Sequence, residues 1–73
     1  ARQRLARLLL WLSEDAPDQP VRLFSREDLG AILGVTLETT SRTISEFRRS
    51  GVLTTLSHNL VRCDRAALAD IAG

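Results

Sequence analysis

A chain of 73 residues with 44% hydrophobic side chains suits one small folded domain, too short for two cores and too apolar to stay disordered. Its formal net charge of +1 excludes a polybasic coat for nucleic acid, and one cysteine with one histidine excludes an internal disulfide and a Cys/His metal cluster. No apolar run approaches the roughly 18 residues of a bilayer span, and "RLARLLLWLSED" lacks the apolar length and small-residue cleavage site of a signal peptide, so a cytoplasmic protein with no membrane partner is the expectation.

Leu5, Leu8, Leu9 and Leu12 fall at i, i+3, i+4 and i+7, the apolar stripe of an amphipathic helix, with Leu10 and Trp11 widening it and Trp11 expected in the core. The chain enters this helix without a Met and already in register, as a piece of something larger would. Pro17 and Pro20 enclose a polar linker, and "VRLF" after it reads as a short strand. Ser25 and Asp28 then form a capping-box variant, with Phe24 and Leu29 at the positions of a hydrophobic staple. A helix over Arg26–Leu33 follows, with Leu29, Ile32 and Leu33 inward, and Gly34 is the left-handed residue that ends it. Only Val35 separates Gly34 from Thr36, the N-cap candidate of the next helix, over Leu37–Arg49. Two helices joined by so short a turn must cross steeply, which is the signature of a helix-turn-helix.

Arg48, Arg49 and Gly51 mark the end of the second helix of this pair. "VLTTL" and "LVRC", separated by "SHN", read as a hairpin, the wing of a winged helix. Asp64 caps "RAALADIA" as a last short helix, with Cys63 a small apolar partner for Leu68. The expected fold is mainly α with a small β-hairpin: a winged helix-turn-helix of three to four helices over residues 1–73.

The helix over Leu37–Arg49 is unusual in composition. Six of the ten residues from Thr36 to Ser45 are Ser or Thr, which rank below Ala, Leu or Glu as helix formers. At about 100° per residue, Leu37, Thr40, Ile44 and Phe47 share the face expected to be buried. Glu38, Ser41, Arg42, Ser45 and Arg49 form the opposite stripe. Arg suits guanine O6 and N7, Glu suits cytosine N4, and short hydroxyl residues keep a helix slim enough for a major groove about 12 Å wide. The plainer reading is a solvated face whose Glu38 and Arg42 are an i, i+4 pair. The tight turn before the helix and the hairpin after it favour base reading. All ten basic residues are Arg and none is Lys, which fits phosphate and base recognition or simply Arg-rich codon usage.

"LGVTLETTSRTISEFRRSGVL", with "RLARLLLWLSED" upstream and "ALADIAG" at the end, closely resembles the C-terminal DNA-binding domain of the CRP/FNR family of bacterial transcription regulators. Glu38, Ser41 and Arg42 form the E-x-x-S-R motif of the FNR-like branch, whereas the cyclic-AMP-receptor branch usually has Gly before this Arg. The resemblance implies that Glu38 and Arg42 read a G·C pair, that Ser41 helps choose the flanking base, and that the half-site is TTGAT-like within an inverted repeat of double-stranded DNA. It further implies a homodimer in the full-length protein, possible contact with RNA polymerase, and a sensor domain and long dimerisation helix outside these residues. No cofactor is expected in this fragment, and the effector of the sensor domain is unknown. Thr40 and Thr43 depart from the aliphatic residues common in the family, so a looser or locally repacked core is expected under the helix.

Thr36, Thr39, Ser45, Arg49 and His58 are the candidates for DNA backbone or flanking contacts, although a solvated turn is the commoner role for a residue placed like His58. No metal-ligand cluster, G-x-S-x-G motif or phosphate-binding Gly loop followed by Lys is present, so catalysis is not expected. The competing function is a winged helix that docks a protein partner through the same stripe and binds no DNA.

Overall fold

The computed structural model describes all 73 residues, Ala1 to Gly73. Four helices and three short strands follow in the order α1 (Arg2–Leu12), β1 (Val21–Arg22), α2 (Arg26–Leu33), α3 (Leu37–Arg49), β2 (Leu53–Ser57), β3 (Leu60–Cys63) and α4 (Arg65–Ala72). Both helices of the expected helix-turn-helix have the boundaries their capping residues imply. Ser25 Oγ accepts from the Asp28 amide at 3.1 Å, and Thr36 Oγ1 accepts from the Thr39 amide at 3.1 Å. Asp64 Oδ1 does the same for the Ala67 amide at the start of α4. Each bond satisfies one of the orphan amides at a helix start.

The turn between α2 and α3 depends on two glycines. Gly34 closes α2 at φ +72°, a conformation that L side chains rarely adopt. Gly30 is buried one turn earlier, where an added Cβ would lie 3.0 Å from the Val35 carbonyl oxygen and 3.3 Å from Thr40 Oγ1. The missing side chain therefore lets the turn and the first part of α3 pack directly on α2.

β3 lies between the two other strands in an antiparallel sheet of order β1-β3-β2. Val61 pairs with Val21 on one side and Thr55 on the other. The strand expected over "VRLF" is shorter than that, because only Val21 and Arg22 find partners on β3. At the hairpin tip Asn59 has φ +58°, tolerated best by Asn among residues with a Cβ. A bulge between Thr55 and Ser57 leaves Leu56 without a partner.

Fourteen buried apolar residues form one core, among them Leu5, Leu9, Leu29, Ile44, Phe47, Leu53, Val61 and Leu68. α1 packs along α4, which closes the domain around its two ends. Cys63 packs against the core from the end of β3, and its thiol pKa is raised above 9.0 by burial, partly offset by the charge of Arg65.

Four apolar placements differ from the periodicity reading. Trp11 is 66% exposed, because it stands nearly opposite the buried line of Leu5, Leu9 and Ser13. Ile32 is also exposed, since only Leu29, Gly30 and Leu33 of α2 face inward. Leu37, the first residue of α3, is 51% exposed rather than buried with Ile44 and Phe47. Phe24 is partly exposed beside α2, while the other half of its proposed staple, Leu29, is fully buried.

Candidate nucleic-acid interface

The six hydroxyl residues at the start of α3 divide into three pairs with different tasks. Thr36 and Thr39 belong to the cap, with Thr36 Oγ1 also donating to Thr39 Oγ1 at 3.0 Å. Thr40 and Thr43 are buried, and their hydroxyls donate one turn back to the carbonyls of Thr36 and Thr39 at 3.0 and 2.8 Å. These back-bonds let two threonines take core positions, and no buried side-chain nitrogen or oxygen is left without a partner. Ser41 and Ser45 remain, half-buried at the edge of the helix, with hydroxyls that bond to nothing within the chain.

Beside these two free hydroxyls lie the charged members of the stripe. Arg42 Nη2 donates to Glu38 Oε1 at 2.7 Å across one helical turn, and both side chains are mostly exposed. Arg49 is exposed at the far end of the same face and has no partner. Thr39, by contrast, is half-buried and turned toward the cap, so it borders the stripe without lying at its centre. His58 is exposed at the hairpin tip, its Nε2 3.4 Å from the side-chain Nδ2 of Asn59, and belongs to a separate element.

The other arginines show which positive charges are already engaged. Arg2 pairs with Glu46 at 3.9 Å, while Arg4, Arg7 and Arg62 donate to the carbonyls of Leu33, Ala72 and Asp18. Arg65 donates to Leu10 O and to Ser13 Oγ. Arg42 has Glu38. The arginines with no partner in the chain are Arg22, Arg26, Arg48 and Arg49, and the last three belong to the helix-turn-helix.

Two residues near the stripe have surroundings that the pattern of α3 does not indicate. Leu37 shares a helical angle with Ile44, yet it stands exposed next to Glu38. Arg48 suits the negative end of the helix dipole, and it also lines one cleft with Arg26 and His58, a meeting of three elements. Periodicity along one helix carries no trace of the second fact. Thr36 signals the first: a side chain directly after an N-cap has no preceding turn to cover it.

The arrangement is that of a winged helix-turn-helix, with α2 and α3 as the paired helices and β2–β3 as the wing. Residues 3–71 match the model of the Crp-like helix-turn-helix domain, and the chain belongs to that family. It is a CRP/FNR-type DNA-binding domain of transcription regulators. FixK2 from Bradyrhizobium japonicum is similar over 99% of this chain, with 31% identity and a TM-score of 0.87. The CO-dependent transcription factor CooA from Carboxydothermus hydrogenoformans shares the fold over 99% of the chain, at 23% identity and a TM-score of 0.84. The chain spans 38% of the length of FixK2 and 36% of that of CooA. No curated protein matches the chain significantly. None of the helices is long and apolar enough to cross a membrane.

Proposed function

We propose that this chain is the output domain of a CRP/FNR-like regulator and that α3 reads a TTGAT-like half-site in the major groove. The observation that carries this reading is the exposed, hydrogen-bonded pair of Glu38 and Arg42 flanked by the free hydroxyls of Ser41 and Ser45. Arg42 takes a guanine edge, Glu38 accepts from cytosine N4, and Ser41 acts at the neighbouring base. Exposed Leu37 adds an apolar surface suited to a thymine methyl group. Thr36, Thr39, Ser45, Arg49 and His58 serve the backbone and flanking positions.

In the full-length protein, a sensor domain and a dimerisation helix accompany this domain, and two copies bind the two halves of an inverted repeat. RNA polymerase is a further partner. The chemistry is recognition and no bond is made or broken. The test is a titration with a TTGAT-containing duplex and a scrambled duplex of equal length, over a range of salt. Preference for the first that persists as salt rises supports base reading, because sequence-independent attraction to phosphates weakens steeply with salt. Equal affinity for both duplexes at every salt concentration refutes it.

A further inference from the structure

Between the wing, the last turns of α3 and the first turn of α2 lies an open cleft of about 450 Å³. Three cationic or protonatable side chains line it, each from a different element: Arg26 of α2, Arg48 of α3 and His58 at the hairpin tip. Ser25, Ser57 and Asn59 add hydrogen-bonding groups, and three apolar side chains complete the lining. No carboxylate is among the residues of the cleft, and neither arginine has a hydrogen-bonding or ionic partner in the chain.

This pattern differs from the rest of the surface. Six of the ten arginines of this chain are tied to a carbonyl, a hydroxyl or a carboxylate, and two of the four free guanidinium groups, those of Arg26 and Arg48, border the same cleft. Like charges gathered around one space repel, and an anion placed among them removes the repulsion. A guanidinium also presents a planar fork of donors that fits phosphate oxygens in pairs. The volume falls within the range of small-molecule sites, roughly 300–1,000 Å³, so there is room for the phosphate and part of what carries it.

We propose that this cleft is a phosphate seat in which Arg26 and Arg48 grip the phosphate and His58 closes it from the wing. The phosphate comes either from the DNA backbone beside the half-site or from a free phosphorylated ligand. The first source rests on the DNA-reading role proposed for α3, and the second does not. The seat lies beside the reading stripe, with Arg48 almost three turns along α3 from Glu38 and fewer than two from Arg42. Its occupation by a DNA phosphate therefore sets how the domain is seated on the duplex without choosing a base.

Two titrations test the seat. The first follows backbone amide resonances of the chain as pyrophosphate is added. Saturable shifts at Arg26, Arg48 and His58 are expected, with their loss in the Arg26→Gln, Arg48→Gln double variant and their retention in the Arg26→Lys, Arg48→Lys variant. The second measures binding to TTGAT duplexes whose flanking phosphates are native or replaced by neutral methylphosphonates. On the native duplex, the double Gln variant should lower the salt slope by about one unit for each phosphate it no longer neutralises. On the duplex whose seated phosphate is neutral, the same variant should change nothing.

Pyrophosphate shifts without this coupling identify a free phosphorylated ligand as the occupant, and coupling without shifts identifies the DNA backbone. Absence of both overturns the seat. A chain that binds pyrophosphate but prefers no duplex keeps the seat while refuting the half-site reading. Sequence preference with neither effect does the reverse. Unchanged far-UV circular dichroism of the variants, whose substituted side chains lie at the surface, excludes unfolding as the cause of any loss.

Discussion

Glu38 holds the guanidinium of Arg42 at 2.7 Å, so the arginine is already oriented along the outer face of α3 before any partner arrives. Such an exposed i, i+4 pair adds only about 0.2–0.5 kcal/mol to helix stability. On the proposed reading of α3, recognition is where the pair matters.

Arg42→Ala should cost about 1–3 kcal/mol of binding per half-site and flatten the preference at one base pair. Its melting temperature should stay within a degree or two of the parent. Glu38→Ala should lose less affinity, because removing an acid also relieves repulsion from phosphates, while still relaxing discrimination. Titrations on cognate and singly substituted duplexes separate these outcomes, and a uniform loss across all duplexes for Arg42→Ala would remove it from the base-reading set.

Arg49→Ala should behave differently. On the proposed role, it meets only backbone from the far end of the stripe, so all duplexes should weaken alike and the salt slope should fall by about one unit. A change in sequence preference would contradict this assignment.

Gly30→Ala tests the packing of the turn. Its new methyl group would sit 3.0 Å from the Val35 carbonyl oxygen, a backbone atom that moves only if the turn moves. Alanine is the better helix former by roughly 1 kcal/mol, yet overpacking of this kind costs about 1–3 kcal/mol. Net destabilisation with a loss of DNA affinity is expected, read by denaturant unfolding and titration. A stabilised variant would show that the close approach is unnecessary.

Cys63 gives a pH dependence of known sign. Burial raises its thiol pKa, so the folded chain keeps a proton that the unfolded chain releases above the ordinary value of 9.0. Stability should therefore be insensitive to this group near neutrality and fall as pH climbs past 9.0. The chain contains neither Lys nor Tyr to obscure the effect. Denaturant unfolding from about pH 7.5 to about pH 10.5 should show the decline in the parent and a flatter profile in Cys63→Ala, since only the parent carries the linked proton. Parallel profiles would rule out the cysteine as its source.

Local signals are the legible ones in this sequence. Ser25, Gly34, Thr36 and Asp64 act through bonds to neighbours within a few residues, and the helix boundaries follow from them. The stripe of α3 is legible for the same reason, being a property of one helix. Trp11, Ile32 and Leu37 escape the apolar pattern because periodicity indicates the direction of an apolar face, whereas its width depends on what packs against it. β1 needs β3, far along the chain, to become a strand, and finds partners for two residues instead of four. The cleft requires α2, α3 and the wing together, and no short window of sequence contains all three.

Arg4 and Arg2 give α1 a mechanical role. Arg4 grips the Leu33 carbonyl beside the turn, and Arg2 reaches Glu46 on α3, so the first turn of one helix is fastened to both members of the reading pair. α1 is packed along α4 at the same time. A torque applied to the start of α1 is therefore passed to the whole domain, and α3 turns with it as one body instead of swivelling on its own. On the DNA-reading role proposed for α3, the angle at which it meets a duplex would then follow the orientation of α1, like a blade steered by its handle.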